Sequence, residues 1–362
     1  MRRYLLTMMI LLLPGMAAAA PMPDSSYREL NAVLTDRYLL PRYGALATAA
    51  DSFAEATQAV CQAPGETTLQ AARSGFHAIM DAWMAVQHVR FGPVELFMRG
   101  YRVYFWPESR GRVDDSVRQV LAEHPDGDFA SKPLARTSVA VQGLPAAEQL
   151  LFVGPDRLGM PGEGQARCGL LLAVGANLVE IAHGLMTDWT GAQEPFRNVV
   201  AKPGPENIYF ETPRDVTLAY FKALHNGLQL IADLRLKPVL GASIQQAQPR
   251  LAESSASRRS LRNIVTSLET LQAMYVEGGI SAAVRAQPGR QDLDALLVRA
   301  FAMTLESAKA VPEPLGKAVS DPETRGAVEL LYKRVLALKQ IIRTDLADAL
   351  DVAVGFNALD GD

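Results

Sequence analysis

Leu261-Arg262-Asn263-Ile264-Val265-Thr266-Ser267-Leu268-Glu269-Thr270-Leu271-Gln272-Ala273-Met274-Tyr275 places Leu261, Ile264, Leu268, Leu271 and Tyr275 at steps of three and four. Steps of that size return to one face of a helix at each turn, so the segment reads as a bundle helix with an apolar seam. Phe76, Met80, Trp83 and Gln87 repeat the spacing, with Ile79 on the same face. So do Leu293, Leu296, Ala300 and Met303, and again Leu331, Val335, Leu338, Ile342 and Leu346. No run of alternating apolar and polar residues carries hairpin turn signals. The fold class is all-α.

Breaks fall where Pro and Gly cluster: 125–127, 154–164, 195–213, 238–249 and 312–316 read as loops. Helices are expected near 26–63, 67–88, 113–123, 145–153, 165–190, 213–236, 255–276, 290–310 and 321–356. The stretch 195–213 is the natural domain boundary. The expected organisation is two helical-bundle domains packed side by side, 21–200 and 210–362, since 362 residues exceed what one core usually serves.

Composition is that of an ordinary globular chain, 49% apolar and 21% charged, with a net charge of −3. No broad basic surface exists for nucleic acid. Arg2 and Arg3, the apolar run Tyr4–Leu13 and the small residues Met16–Ala20 read as a cleavable secretory signal over residues 1–20. Cleavage after Ala19 is favoured over Ala20, because Pro21 would then follow the cut directly. The apolar run is too short to span a bilayer, and no Cys follows it to take a lipid. A periplasmic mature chain without a transmembrane segment is the expectation. In an oxidising compartment the two cysteines, Cys61 and Cys168, read first as a disulfide, with two buried free thiols as the alternative.

The chain has no H-E-x-x-H zinc helix and no G-x-S-x-G elbow. Gly159-Met160-Pro161-Gly162-Glu163-Gly164 is glycine-rich without dinucleotide spacing, and is a loop. Gly143-Leu144-Pro145-Ala146-Ala147-Glu148 can be read as a plain helix start: Pro suits the first turn, and a nearby Glu suits the positive end of the dipole.

The same hexapeptide resembles the G-x-H-x-x-E signature of the imelysin-like proteins, with Pro145 in place of the histidine. Three further segments match that family's pattern. They are Ala82-Trp83 through Gln87-His88-Val89-Arg90-Phe91-Gly92-Pro93 to Arg102 and Phe105-Trp106-Pro107-Glu108; Arg167-Cys168 through Ala176-Asn177-Leu178 to Trp189; and Gly355-Phe356-Asn357-Ala358-Leu359-Asp360-Gly361-Asp362. The resemblance implies two helical bundles in a bacterial envelope protein associated with iron uptake, with other envelope iron-uptake proteins as partners. It implies a site where the signature meets the interdomain crevice, and iron as the cofactor to consider. Pro145 departs from the pattern where an imidazole would ligate a metal, and this puts both peptidase activity and a His–Glu iron site in doubt.

Gly143, Pro145, Glu148, Trp83, Gln87, Arg90, Arg102 and Trp106 are therefore the candidate binding residues. Trp83, Gln87 and Arg90 stand at i, i+4 and i+7 on the expected helix, and Arg90 or Arg102 is the expected partner of the Glu148 carboxylate. Glu180 and His183 form an E-x-x-H half-motif; with Glu148 they are the candidate metal ligands, although di-iron bundles need two such copies. No catalytic residue is assigned. The leading expectation is a non-enzymatic periplasmic protein of iron acquisition, binding a ligand or partner at the crevice. The alternatives are an imelysin-type metallopeptidase with a displaced site and an envelope scaffold or polysaccharide-binding protein.

Overall fold

A computed structural model describes residues 22–108, 111–129 and 134–352, all helix, turn or loop with no strand among them. The expected signal at 1–20 and the terminal match at 355–362 lie outside the described residues. The first half comprises α1 (Asp24–Val33), α2 (Leu40–Gln62), α3 (Glu66–Met84), α4 (Arg99–Val103), α5 (Arg112–Glu123), α6 (Leu144–Phe152), α7 (Glu163–Thr190) and α8 (Phe196–Ala201). The second comprises α9 (Pro213–Gln229), α10 (Lys237–Leu240), α11 (Ser260–Val276), α12 (Ile280–Arg285), α13 (Gln291–Lys309), α14 (Leu315–Ala318), α15 (Arg325–Ile341) and α16 (Ala347–Ala349).

In the first half α2 packs between α3 and α7, with α6 lying against α3 and α7. In the second, α13 lies between α11 and α15, and α9 closes against both of those. The α11 seam is buried as its spacing predicts, from Leu261 to Tyr275. So is the seam of α15 and its continuation, from Leu331 to Leu346. On α13 the seam is displaced by one position: Leu296 and Met303 face out, while Leu297, Phe301 and Ala308 are buried. The tie that orients this helix is polar, with the Tyr275 hydroxyl donating to Asp294 at 2.7 Å. α1 lies against α9, and α3 lies against α11, so the buried apolar residues form one continuous core.

Two long helices run through prolines that would ordinarily break them. The chain widens to a π-turn over Leu34–Leu39 and again over Leu230–Leu236, two residues before Pro41 and Pro238 respectively. Proline lacks the N–H that helix geometry needs, and its ring presses on the carbonyl four residues back; one extra residue per turn moves that carbonyl aside. α8 and α14 replace parts of the loops expected at 195–213 and 312–316. α9 begins with a reciprocal cap, in which the Asp215 amide donates to the Thr212 hydroxyl and the Thr212 amide to the Asp215 carboxylate, behind Pro213.

Cys61 near the end of α2 and Cys168 in the first turns of α7 form the disulfide, with Cα atoms 5.5 Å apart. α7 is long and apolar enough to cross a bilayer by length and composition alone, but half of its most apolar stretch is buried in the bundle.

Candidate functional site

α6 carries the 143–148 signature and is placed by its glycine. A Cβ on Gly143 would come within 2.3 Å of the carbonyl oxygens of Arg102 and Val103, so only glycine lets the two backbones approach this closely. Pro145 sits in the first turn, where the next amides, of Ala146 and Ala147, bond back to the Gly143 carbonyl and no N–H is missed. One turn on, Glu148 is 8% exposed and points into the contact with the second half.

Its partner corrects the sequence expectation. The Glu148 Oε1 accepts from the Ser257 amide at 2.8 Å and from the Ser257 hydroxyl at 2.6 Å, and neither Arg90 nor Arg102 reaches it. Ser257 lies in the turn 253–258, which the periodicity had extended into a helix from 255. The turn persists because Ser254 and Arg258 take left-handed backbone conformations, and α11 starts only at Ser260. The Ser260 hydroxyl closes the turn by donating to the Glu253 carbonyl.

A second buried carboxylate lies beside the first. Glu253 is gripped by Arg235, with Nε to Oε2 at 2.8 Å and Nη2 to Oε1 at 2.9 Å, and also accepts from Asn263 at 2.9 Å. Arg235 belongs to the second π-turn, donates to Ser267 at 3.0 Å, and lies 5.4 Å from the centre of the Trp106 ring. The Tyr104 hydroxyl meets Ser254 at 3.1 Å. Burial pushes the Glu148 carboxyl up, the Ser257 hydrogen bonds oppose this, and the Glu253 charge adds to the rise. Of the two buried acids, one is neutralised by an arginine and the other, among the described residues, is held only by neutral donors.

The remaining candidate residues separate. α3 ends at Met84, so Gln87 and Arg90 leave the helix face on which Trp83 is buried. Gln87 is buried and its amide points at the Met84 sulfur, which Arg235 also approaches at 3.1 Å. Arg90 is exposed, and its Nε donates to the Gln87 carbonyl. Arg102 joins a different network, donating to Gln142 at 2.9 Å and Asn177 at 2.5 Å and thereby tying α4 to α7. Of the two candidate tryptophans, Trp106 lies by the Arg235 guanidinium that grips Glu253 and beside the Tyr104 ring. Sequence reasoning missed Tyr104, Arg235, Glu253, Ser254 and Ser257. Their traces were an arginine inside the apolar run Leu230–Leu236 and a serine-rich stretch before the α11 seam.

The proposed metal set does not assemble. Glu180 is exposed and 4.0 Å from Arg102, His183 bonds Asp51 at 2.9 Å, and Glu148 is engaged by Ser257. No group of three metal-ligating side chains forms among the described residues. With Pro145 supplying no donor, the residues at the signature do not fit an iron or zinc site, which ordinarily takes three or more protein ligands.

A family model described as Imelysin matches residues 39–342. The chain belongs to the imelysin family. Iron-regulated protein A of Synechococcus elongatus is 24% identical over 315 residues, covering 85% of this chain and 82% of that protein. An imelysin-like protein from Psychrobacter arcticum has the same fold, with a TM-score of 0.79 at 20% identity over 93% of this chain and 99% of that one. A structure from Parabacteroides distasonis matches with a TM-score of 0.73 at 13% identity, covering 89% and 95%. Within the imelysin signature this member keeps the glycine that fixes the backbone contact and the glutamate at the contact of the two halves. It lacks the imidazole.

Proposed function

We propose that this imelysin is a non-enzymatic, exported protein of iron acquisition that recognises a ligand or partner where α6 meets the turn 253–258. The observation that carries the reading is Glu148. It is a buried carboxylate at the junction of two helical halves, held by the Ser257 amide and hydroxyl and, among the described residues, by no cation. A carboxylate kept out of water without a counter-ion is costly to maintain for packing alone, and such groups concentrate at binding sites. Tyr104, whose hydroxyl meets Ser254 of the same turn, and Trp106, whose ring lies beside Tyr104, line the turn with aromatic groups. Peptidase chemistry finds no support at the signature, because one carboxylate without an imidazole provides neither a zinc ligand set nor a base poised on water.

The iron connection comes from the relative in Synechococcus elongatus, named an iron-regulated protein. Export and a periplasmic location are supported by the signal-like residues 1–20 and by the Cys61–Cys168 bond, which oxidising compartments favour. The two bundles, 21–200 and 210–362, are read as domains, with α1 as an arm of the first laid on α9 of the second.

The test uses protein purified without a metal-affinity tag. Bound metals are quantified, an unfolded protein substrate is assayed, and cross-linking to envelope proteins is compared for wild type and Glu148→Gln in iron-limited cells. A cross-linked partner that Glu148→Gln loses, with no cleavage, is the expected result. Chelator-sensitive cleavage, or stoichiometric metal lost with Glu148→Gln, would overturn the reading. Pro145→His is the complement: it adds one imidazole three residues from Glu148 and is expected to bind zinc only weakly, since two ligands fall short of a site.

A further inference from the structure

A groove of about 590 Å³ runs between α5, the end of α6 and the start of α7, away from Glu148. One wall is apolar, formed by Val117 and Leu121 of α5 and by Val153, which is 45% exposed just past α6. The other end is cationic. Arg167, 5% exposed, inserts its Nη2 beneath the last turn of α6, where it donates to the carbonyls of Leu150 and Val153 at 3.2 and 3.0 Å. Its Nε is buried with no hydrogen-bond partner among the described residues. Among the described residues its Nη1 has only Glu163, at 3.9 Å, and the same carboxylate oxygen lies 3.5 Å from Arg157, hydrogen-bonded to neither.

Two guanidiniums thus face one loosely held carboxylate, at the positive end of the 28-residue α7. Arg118 adds no free charge, being paired with Asp114 and Asp115, and Asp156 lies near Arg167 but outside the lining. The glycine loop 159–164 is absorbed here, because Gly162 delivers the chain into α7 with a left-handed backbone that keeps this corner open. Burying a cation without a well-bonded anion costs free energy that an incoming carboxylate would recover.

We propose that this groove binds an amphiphilic carboxylate, its headgroup on Arg157 and Arg167 in place of Glu163 and its alkyl chain along Val117, Leu121 and Val153. The inference is independent of the reading at Glu148. Calorimetric titration with decanoate tests it, against decanol and acetate, which lack the charge and the chain respectively. Saturable one-to-one decanoate binding is expected, with both controls about tenfold weaker or worse, the equivalent of one charge-assisted contact. Arg157→Gln and Val153→Glu alter exposed side chains and leave the cap on α6 intact, so both variants are expected to fold and to bind decanoate about tenfold more weakly. Glu148→Gln is expected to bind it unchanged. Absence of saturable binding, decanol binding as well as decanoate, or indifference to both groove variants would each overturn the proposal.

Discussion

Arg235 and Glu253 meet through two parallel hydrogen bonds, with both side chains 1% exposed, and so lock the π-turn after α9 to the turn before α11. The guanidinium spends further donors on Ser267 and the Met84 sulfur, and Glu253 accepts from Asn263 as well. A pair this fully bonded is costly to break from one side, because the surviving charge stays buried. Glu253→Gln is expected to cost about 3–5 kcal/mol in denaturant unfolding. Replacing both residues together, Arg235→Met with Glu253→Leu, is expected to recover much of that loss. A single variant with the wild-type midpoint would contradict the assignment.

Glu148 carries the opposite expectation for charge. Its folded carboxyl titrates above the ordinary range because it is buried. The folded state therefore holds its proton more tightly than the unfolded chain, and stability from this group is present at low pH and lost as pH rises through the folded value. Glu148→Gln, which keeps an acceptor for Ser257 and never ionises, is expected to be more stable than wild type at pH 7 and equal to it at acid pH. Glu148→Ala instead leaves the Ser257 amide without its acceptor, while the Ser257 hydroxyl keeps the Ser254 carbonyl at 3.2 Å, and is expected to lose about 2 kcal/mol. Melting curves at both pH values separate the two variants, and a Gln variant less stable than wild type at neutral pH would refute the argument.

His88 gives an acid limit. The Tyr38 hydroxyl donates to the Thr270 carbonyl at 3.1 Å and so accepts from His88 Nε2, 2.9 Å away, which requires the Nε2–H tautomer. Burial pushes the imidazole down to about 3. The unfolded chain takes up this proton near the ordinary histidine value, about 6.5, so stability falls as pH drops from there toward the folded value. The expected slope from this residue is at most about 1.4 kcal/mol per pH unit. His88→Gln is expected to flatten the stability profile between pH 4.5 and 6.5, measured by urea midpoints; an unchanged slope would place the acid sensitivity elsewhere.

The bond between Cys61 and Cys168 closes a loop with a sequence separation of 107 residues. Loop entropy alone puts its contribution at about 4–5 kcal/mol for a loop of that order. Cys61→Ala with Cys168→Ala is expected to lose a stability of that order and to retain decanoate binding, since neither cysteine lines that groove. Thiol titration of unreduced, denatured protein is expected to find no free sulfhydryl.

The helical class, the α11 and α15 seams and the disulfide were all legible in the sequence, because each rests on local spacing or on residue count. The family was legible from short motifs in order along the chain. The α13 seam was misplaced by one position, since Tyr275 reaching Asp294 sets the rotation of that helix and no local pattern encodes a partner on another one. Helix ends also failed where they mattered most: Gln87 and Arg90 fell beyond α3, and Ser257 fell before α11.

Sequence by itself determined that this chain is an all-α imelysin with a proline where the signature has histidine, because periodicity and motif order are properties of the chain alone. Only the tertiary structure decided what Glu148 touches. A buried carboxylate takes whichever donor the packing brings within 3 Å. That donor is Ser257, 109 residues away in a turn set by two left-handed residues, and neither of the arginines that the spacing had offered.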